Sequence, residues 1–121
     1  MNIKHLAFTL MLTALLAVPV ALSAHMKFEK SEPAPGSTVT SPLKSIQIWF
    51  SEVPDTKVST VEVVGPSGPV KTMGLHAMGK SLMIMIDGTA AAGGYTVRWQ
   101  SAGDDGHLQK GDYTFTLQAA K

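Results

Sequence analysis

The sequence predicts an all-β fold: a single Ig-like, Greek-key β-sandwich, barrel-like in shape, of about seven strands. Short segments alternate apolar with polar residues at a period of two, which is typical of half-buried strands. Turn residues separate these segments at the short intervals that are typical of sandwiches. No repeat, long linker or charge run interrupts the pattern, so the alternating segments are expected to form two packed sheets.

The elements follow one another along the chain in a regular order. Residues 31–37 form a turn cluster, whose two prolines and one glycine exclude a central strand or helix. Residues 46–51 alternate Ile, Ile and Phe with Gln, Trp and Ser, and are predicted to be a half-buried strand. Further strands are predicted at residues 59–64, 70–73, 81–87, 95–100 and 113–118, with turns at 65–68 and 90–94.

The first 24 residues have the pattern of a secretory signal peptide. Lys4 and His5 precede the almost entirely apolar residues 6–22, and the small residues Ser23 and Ala24 follow. A membrane anchor is the alternative, since the apolar stretch is close to the lower limit for a span. Pro19 and the small residues after it favour cleavage, so we expect a signal peptide at 1–24 and an exported domain at 25–121.

Composition limits what the exported domain can be. Removing residues 1–24 from the 121-residue chain leaves 97, which is enough for one domain. Without Lys4, nine basic residues balance nine acidic ones, which argues against nucleic acid or anionic lipid as a partner. The chain has no cysteine, so the core alone must stabilise it, and any metal ligands are His, Met, carboxylate or amine groups.

His25 is the most informative residue of the expected domain. Cleavage after Ala24 makes it the first residue, which offers a metal both a free α-amine and an imidazole nitrogen. Such a chelate suits Cu(II) in tetragonal geometry. Cleavage after Ser23 would instead leave Ala24 ahead of His25 and weaken the chelate.

Five ordered motifs accompany His25 and together resemble a known family. They are SEPAPGS at 31–37, IQIWFSE at 46–52, GYTVRW at 94–99, DGH at 105–107 and GDYTFT at 111–116. The set, with the N-terminal histidine, resembles the CopC/PcoC-type periplasmic copper-resistance proteins over nearly all of the exported chain. The resemblance implies a CopC-like copper-binding domain at 25–121, a barrel-like sandwich that holds Cu(II) near its N-terminus.

The resemblance implies that His25, Asp105 and His107 are the Cu(II) ligands. In an extended segment residues i and i+2 point to the same side, so Asp105 and His107 are able to address one metal. The alternative is an ordinary turn, in which the aspartate caps the backbone and the histidine is solvated. Asp104 adjoins Asp105 as a second candidate carboxylate, and Glu52 is either a further ligand or a hydrogen-bond acceptor for a ligating histidine.

Methionines suggest a second metal site. The candidates for a Cu(I) site are Met73, His76, Met78, Met83 and Met85. Thioether sulfur is a soft ligand that selects Cu(I), and some members of the resembling family carry a Met/His-rich Cu(I) site. Methionine also fills irregular gaps in protein cores, and this alternative remains open. Residues 82, 84 and 86 already supply an apolar inner face, which would leave Met83 and Met85 on the outer face.

The predicted function is that of a non-enzymatic periplasmic copper-binding protein of copper resistance and homeostasis, which sequesters or delivers copper. By the resemblance, its candidate partners are an inner-membrane copper transporter of CopD type or a periplasmic copper oxidase. One alternative is a copper-dependent, monooxygenase-like enzyme, because such enzymes also use an N-terminal histidine. The other is a metal-free Ig-like adhesion or assembly module, which would leave His25 unexplained.

Overall fold

The computed structural model describes residues 25–121, so the predicted signal peptide lies outside the described residues. The described chain contains nine strands and no helix, and therefore no helix that could cross a membrane. The strands are β1 (Phe28–Glu32), β2 (Thr38–Thr40), β3 (Ser45–Phe50), β4 (Thr60–Gly65), β5 (Gly68–Pro69), β6 (Thr72–Met78), β7 (Ser81–Ile86), β8 (Gly93–Ser101) and β9 (Gln109–Gln118).

The strands form two sheets, which confirms the predicted all-β sandwich. One sheet has four strands in the order β1-β3-β7-β6, and the other has five in the order β2-β9-β8-β4-β5. All pairs are antiparallel except that of β2 with β9. The count is nine where the sequence predicts about seven. The strands that were not individually predicted are β1, whose end lies within the predicted turn, and β2 and β5, which have only three and two residues. Elements this short carry no readable alternation.

The core lies between the sheets and consists of the apolar residues that the alternation predicts to point inward. In β3, and in β7, β8 and β9 from Leu82, Tyr95 and Tyr113 onwards, every second residue is buried. One continuous apolar cluster joins both sheets; its strand members are Ile46, Ile48, Phe50, Val63, Leu82, Ile84, Ile86, Tyr95, Val97, Trp99, Tyr113, Phe115 and Leu117. Because no disulfide is available, burial of this cluster is the main source of stability.

The predicted turn at residues 31–37 begins two residues later than expected. Ser31 and Glu32 complete β1 by pairing with Ile48 and Gln47 of β3. The prolines follow directly after β1. Because β1 is at the edge of its sheet and has one neighbour, the prediction that the prolines exclude a central strand here is confirmed. The Ser31 side chain points inward, where its hydroxyl donates a hydrogen bond to the carbonyl of Pro33 (2.8 Å).

An aromatic contact joins the sheets at one end of the sandwich. The rings of Phe50 in β3 and Trp99 in β8 are 5.0 Å apart and meet edge to face, and Phe28 of β1 stacks on Trp99. Gly111 of β9 pairs directly with Trp99. A Cβ atom at Gly111 would lie 2.5 Å from Trp99 Cζ2, so only glycine leaves room for the indole in this position.

Gly111→Ala is therefore expected to lower the free energy of unfolding by about 1–3 kcal/mol, the usual cost of overpacking. Urea unfolding followed by circular dichroism measures it. Gly94→Ala is the matched control, because Gly94 lies in the neighbouring strand and a Cβ there meets no atom within 4 Å. Equal destabilisation by the two substitutions would show that the indole does not require the glycine.

Candidate metal centre

The segment that carries His25 is fastened to the end of β3. Met26, the next residue, is only 2% exposed and packs into the core. The N–H of Lys27 donates to Ser51 Oγ (2.8 Å), and the N–H of Ser51 donates to the carbonyl of Lys27 (2.8 Å). A buried side chain and two hydrogen bonds therefore hold His25 at one end of the sandwich.

The loop between β8 and β9 carries the other predicted ligands. Ala102 is buried at its start, and its carbonyl accepts the N–H of Asp55 (2.8 Å). The N–H of Gly106 donates to the carbonyl of Gly103 (3.1 Å), and Gly106 has a φ of 73°, which favours glycine. The loop thus has a defined turn at Asp105 rather than the extended shape assumed from the sequence.

That turn corrects the reason why Asp105 and His107 are neighbours. The N–H of His107 donates to Asp105 Oδ1 (3.1 Å), so the aspartate caps its own turn. This cap is what an ordinary Asp-Gly-His turn would also show. The contact of Asp105 with His25 is therefore the observation that distinguishes a metal site from a simple turn.

The three predicted Cu(II) ligands lie together. Asp105 Oδ2 is 2.7 Å from His25 Nδ1 and 3.3 Å from His107 Nδ1, although His25 and Asp105 are 80 positions apart in the chain. The two imidazole rings meet edge to face, with centroids 4.6 Å apart. One donor atom from each residue lies within 4.8 Å of the other two. Since metal–nitrogen bonds are about 2 Å long, a small inward movement brings all three to one ion.

The environment favours the ionised form of Asp105. The hydrogen bond from His25 is the largest cause that lowers the pKa of the Asp105 carboxyl group below its usual value, and the backbone N–H of His107 adds to it. Ionised carboxylate is the form that binds a metal. The side chains of His25 and His107 are 41% and 68% exposed, so an ion can enter from solvent.

The donor set matches the chemistry of Cu(II). Two imidazoles and a carboxylate are borderline-hard ligands, and Cu(II) is high in the divalent affinity order. Nδ1 is the imidazole nitrogen that closes a six-membered chelate ring with the α-amine of the same residue, and it is the one that faces Asp105. The amine itself is available only in a chain that begins at His25.

The two further carboxylates that the sequence singles out are placed differently. The group of three contains Asp105 and not its neighbour Asp104. Glu52 lies against the same loop, where a Cβ at Gly103 would be 2.6 Å from its Oε1. The hydrogen bonds of the His25 and His107 side chains go to Asp105 and not to Glu52, whose role as a ligand or acceptor stays a prediction.

The five candidate Cu(I) ligands share the outer face of the four-stranded sheet, here called the methionine face. Met73 of β6 pairs directly with Met85 of β7, and His76 pairs with Met83. Met78 lies opposite Ser81 at the end of the same pair of strands. Directly opposite residues on one face have Cβ atoms about 4.5–5.5 Å apart, which allows their side chains to bind one metal ion together.

These methionines do not fill the core. Met73, Met78 and Met85 are 55%, 52% and 37% exposed, and Met83 is half-buried between inward-pointing residues of β7. None of the four belongs to the apolar cluster of the described residues. Core packing, the alternative left open by the sequence, therefore does not account for them.

Sequence reasoning missed the residues that hold the ligands in place. These residues are Met26, Ser51 and Gly103. Their residue types alone do not indicate a role at a metal site, because that role depends on contacts between distant segments. Only the FSE motif, which contains Ser51, marked one of them in advance.

Comparison with known proteins gives a consistent set of relatives. The model of the CopC domain matches residues 28–118. Protein YobA of Escherichia coli is 30% identical over 116 residues, with 93% of this chain and 92% of the relative covered. Copper resistance protein C of Escherichia coli is 34% identical over 119 residues, with 88% and 94% covered.

A solved structure is also similar. The crystal structure of PcoC, a methionine-rich copper resistance protein from Escherichia coli, superposes with a TM-score of 0.71 at 32% identity. The alignment covers 78% of this chain and 100% of PcoC.

In the metal-free protein, His25→Ala is expected to raise the pKa of Asp105 towards the ordinary carboxyl value, because it removes the hydrogen bond that lowers this pKa most. Titration of the side-chain carboxyl carbon by NMR measures the change. His76→Ala, on another face, should leave the pKa of Asp105 where it was. An unaltered Asp105 titration in His25→Ala would mean that the two side chains are not in contact in solution.

Proposed function

The chain belongs to the CopC family, and from this premise we propose that it is an exported copper-binding protein of copper resistance. Its Cu(II) site would consist of His25, Asp105 and His107, and its Cu(I) site would lie on the methionine face. The observation that carries the proposal is the contact of one carboxylate oxygen, Asp105 Oδ2, with imidazoles from two distant segments.

The Cu(II) site is supported by the way its ligands are held. His25 is next to the buried Met26, and the ligand loop begins at the buried Ala102, so the backbone on both sides is anchored in the core. Ligands held near their final positions lose little conformational freedom on binding, which favours affinity. The carboxylate would fill a position that oxygen activation needs open, which favours binding over oxidative catalysis.

The Cu(I) site is supported by the exposure of its apolar side chains to water, which is unfavourable unless they have a function. Three exposed methionines and a histidine on two adjacent strands leave apolar surface in water without contributing to the core. Thioether and imidazole groups are suitable ligands for Cu(I). Binding of a soft ion explains this arrangement, whereas packing does not.

Two sites of different ligand type would sort copper by oxidation state. Cu(II) would occupy the amine, imidazole and carboxylate site, and Cu(I) would occupy the methionine face. A change in the oxidation state of the ion, made by a reductant or oxidant from outside the protein, would then favour the other site. In the periplasm this would allow the protein to sequester copper or to deliver it to a CopD-type transporter or a copper oxidase.

His25→Ala, or one residue added ahead of His25, is expected to weaken Cu(II) binding more than about 100-fold, because outer-shell changes alone cost 10–100-fold. Competition titration of the exported protein measures the affinity. Intact mass spectrometry with and without copper checks the first residue and the stoichiometry. His76→Ala is the control and should bind Cu(II) normally. Unchanged affinity in both His25 variants would refute the proposed Cu(II) site.

Replacement of Met73, Met78, Met83 and Met85 together by leucine, which nearly conserves volume, is expected to lower Cu(I) affinity more than about 100-fold. Cu(II) affinity should stay the same, because none of the proposed Cu(II) ligands changes. Met26→Leu is the control for loss of a thioether elsewhere. Cu(I) binding that survives the fourfold replacement would show that these thioethers are not its ligands.

A further inference from the structure

Strand β6 contains an irregularity in the middle of the methionine face. Met73 pairs with Met85 and His76 pairs with Met83, so three positions on β6 match two on β7. Gly74 and Leu75 together therefore lie opposite Ile84, and Gly74 has a φ of 70°. Two residues opposite one, the first a glycine in the left-handed region, define a β-bulge of the glycine type.

The bulge determines which side chains reach the outer face. In a regular strand, residues three apart point to opposite faces, so Met73 and His76 would be separated by the sheet. The extra residue restores His76 to the face of Met73. It also turns Leu75 inward, where it packs against the core. The chain thus combines a half-buried leucine with an adjacent exposed histidine.

The bulge also provides a hydrogen-bond partner for His76. Its Nδ1 is 2.7 Å from the carbonyl oxygen of Gly74. A carbonyl oxygen only accepts, so Nδ1 carries the proton and donates it. In a neutral imidazole the other nitrogen, Nε2, then has a free lone pair and is the available metal ligand.

We propose that the Gly74 bulge is a positioning device, which presents His76 to Cu(I) through Nε2 beside Met83. The inference rests on the proposed Cu(I) function of the methionine face. Metal-ligating histidines commonly donate their second ring N–H to a carbonyl or carboxylate, which fixes both tautomer and ring orientation. Here the acceptor is supplied by the backbone two residues away, so no further side chain is needed.

The Cu(II) site uses its histidine differently. His25 directs Nδ1 towards Asp105, the position where a chelated ion would lie, whereas His76 directs Nδ1 away to a backbone carbonyl. His76 is thus committed to binding through its outer nitrogen. An imidazole bound through Nε2 extends further from the strand, which suits a site shared with the long side chain of the facing methionine.

The tautomer of His76 tests the inference directly. In the metal-free exported protein, long-range ¹⁵N–¹H NMR on the neutral imidazole should show Nδ1 protonated and Nε2 unprotonated. The same residue in the urea-unfolded chain is the reference without the bulge. Addition of Cu(I) under anaerobic conditions should shift the Nε2 resonance and leave Nδ1 protonated. A protonated Nε2 in the folded protein, or binding of Cu(I) at Nδ1, would overturn the proposal.

Deletion of Gly74 tests whether Cu(I) binding needs the carbonyl that orients His76, or only the presence of the methionine and histidine side chains. A regular strand would then keep Met73 opposite Met85 and His76 opposite Met83, but without the Gly74 carbonyl. Cu(I) affinity should fall about 10–100-fold, the usual effect of losing an outer-shell partner. Gly74→Asn is the matched control: it keeps the carbonyl, and asparagine tolerates the left-handed backbone at this position better than other residues that have a side chain. It should retain the wild-type tautomer, because a Cβ here meets only Met85 Cγ at 3.9 Å.

The outcomes distinguish this proposal from the proposed function. A deletion variant that binds Cu(II) normally and also keeps full Cu(I) affinity contradicts the positioning role. Cu(I) binding by the unmodified chain that is insensitive to the methionine replacements contradicts the methionine site itself. The tautomer measurement uses the unmodified chain, so it tests the proposal even where the deletion variant does not fold.

Discussion

The contact of Phe50 with Trp99 between the sheets is the interaction on which the rest of the structure depends. It joins the last residue of β3 to β8 at the end of the sandwich where the candidate Cu(II) ligands lie. The next residue after Phe50 is Ser51, which fastens the segment of His25, and the buried Ala102 follows soon after Trp99. Packing of one aromatic pair thus fixes the relative position of two ligand-bearing segments.

A chain without cysteine must obtain this precision from packing. Each of the long strands buries one face, and its other face is free to carry chemistry. The candidate Cu(II) site uses the end of the sandwich, where a loop and the N-terminal segment supply hard and borderline donors. The methionine face uses the outer side of a sheet, where adjacent strands place soft donors opposite one another. The proposed Cu(II) and Cu(I) sites would thereby lie on different parts of one small domain.

The exposure of the side chains at both places fits the proposed function. The histidines of the candidate Cu(II) site and the methionines of β6 are accessible, so an ion can be acquired and released without unfolding. A resident structural metal would be expected in a closed site with every ligand enclosed. Open sites on an anchored backbone suit a protein whose cargo is the metal itself.

The resemblance to the CopC/PcoC-type proteins, and not the residue pattern alone, pointed to the three residues that meet at the candidate Cu(II) site. The sequence by itself determined the all-β sandwich, the inward residues of the long strands, and the outer position of Met83 and Met85. These follow from local alternation and from motif order, which a single chain displays. Only the tertiary structure decided that Asp105, rather than Asp104, contacts both histidines, and that β1 includes Ser31 and Glu32. It alone revealed the Gly74 bulge, because a bulge is defined by the register against β7 and not by the sequence of β6. Pairing between segments far apart in the chain fixes such features, and local pattern carries no record of it.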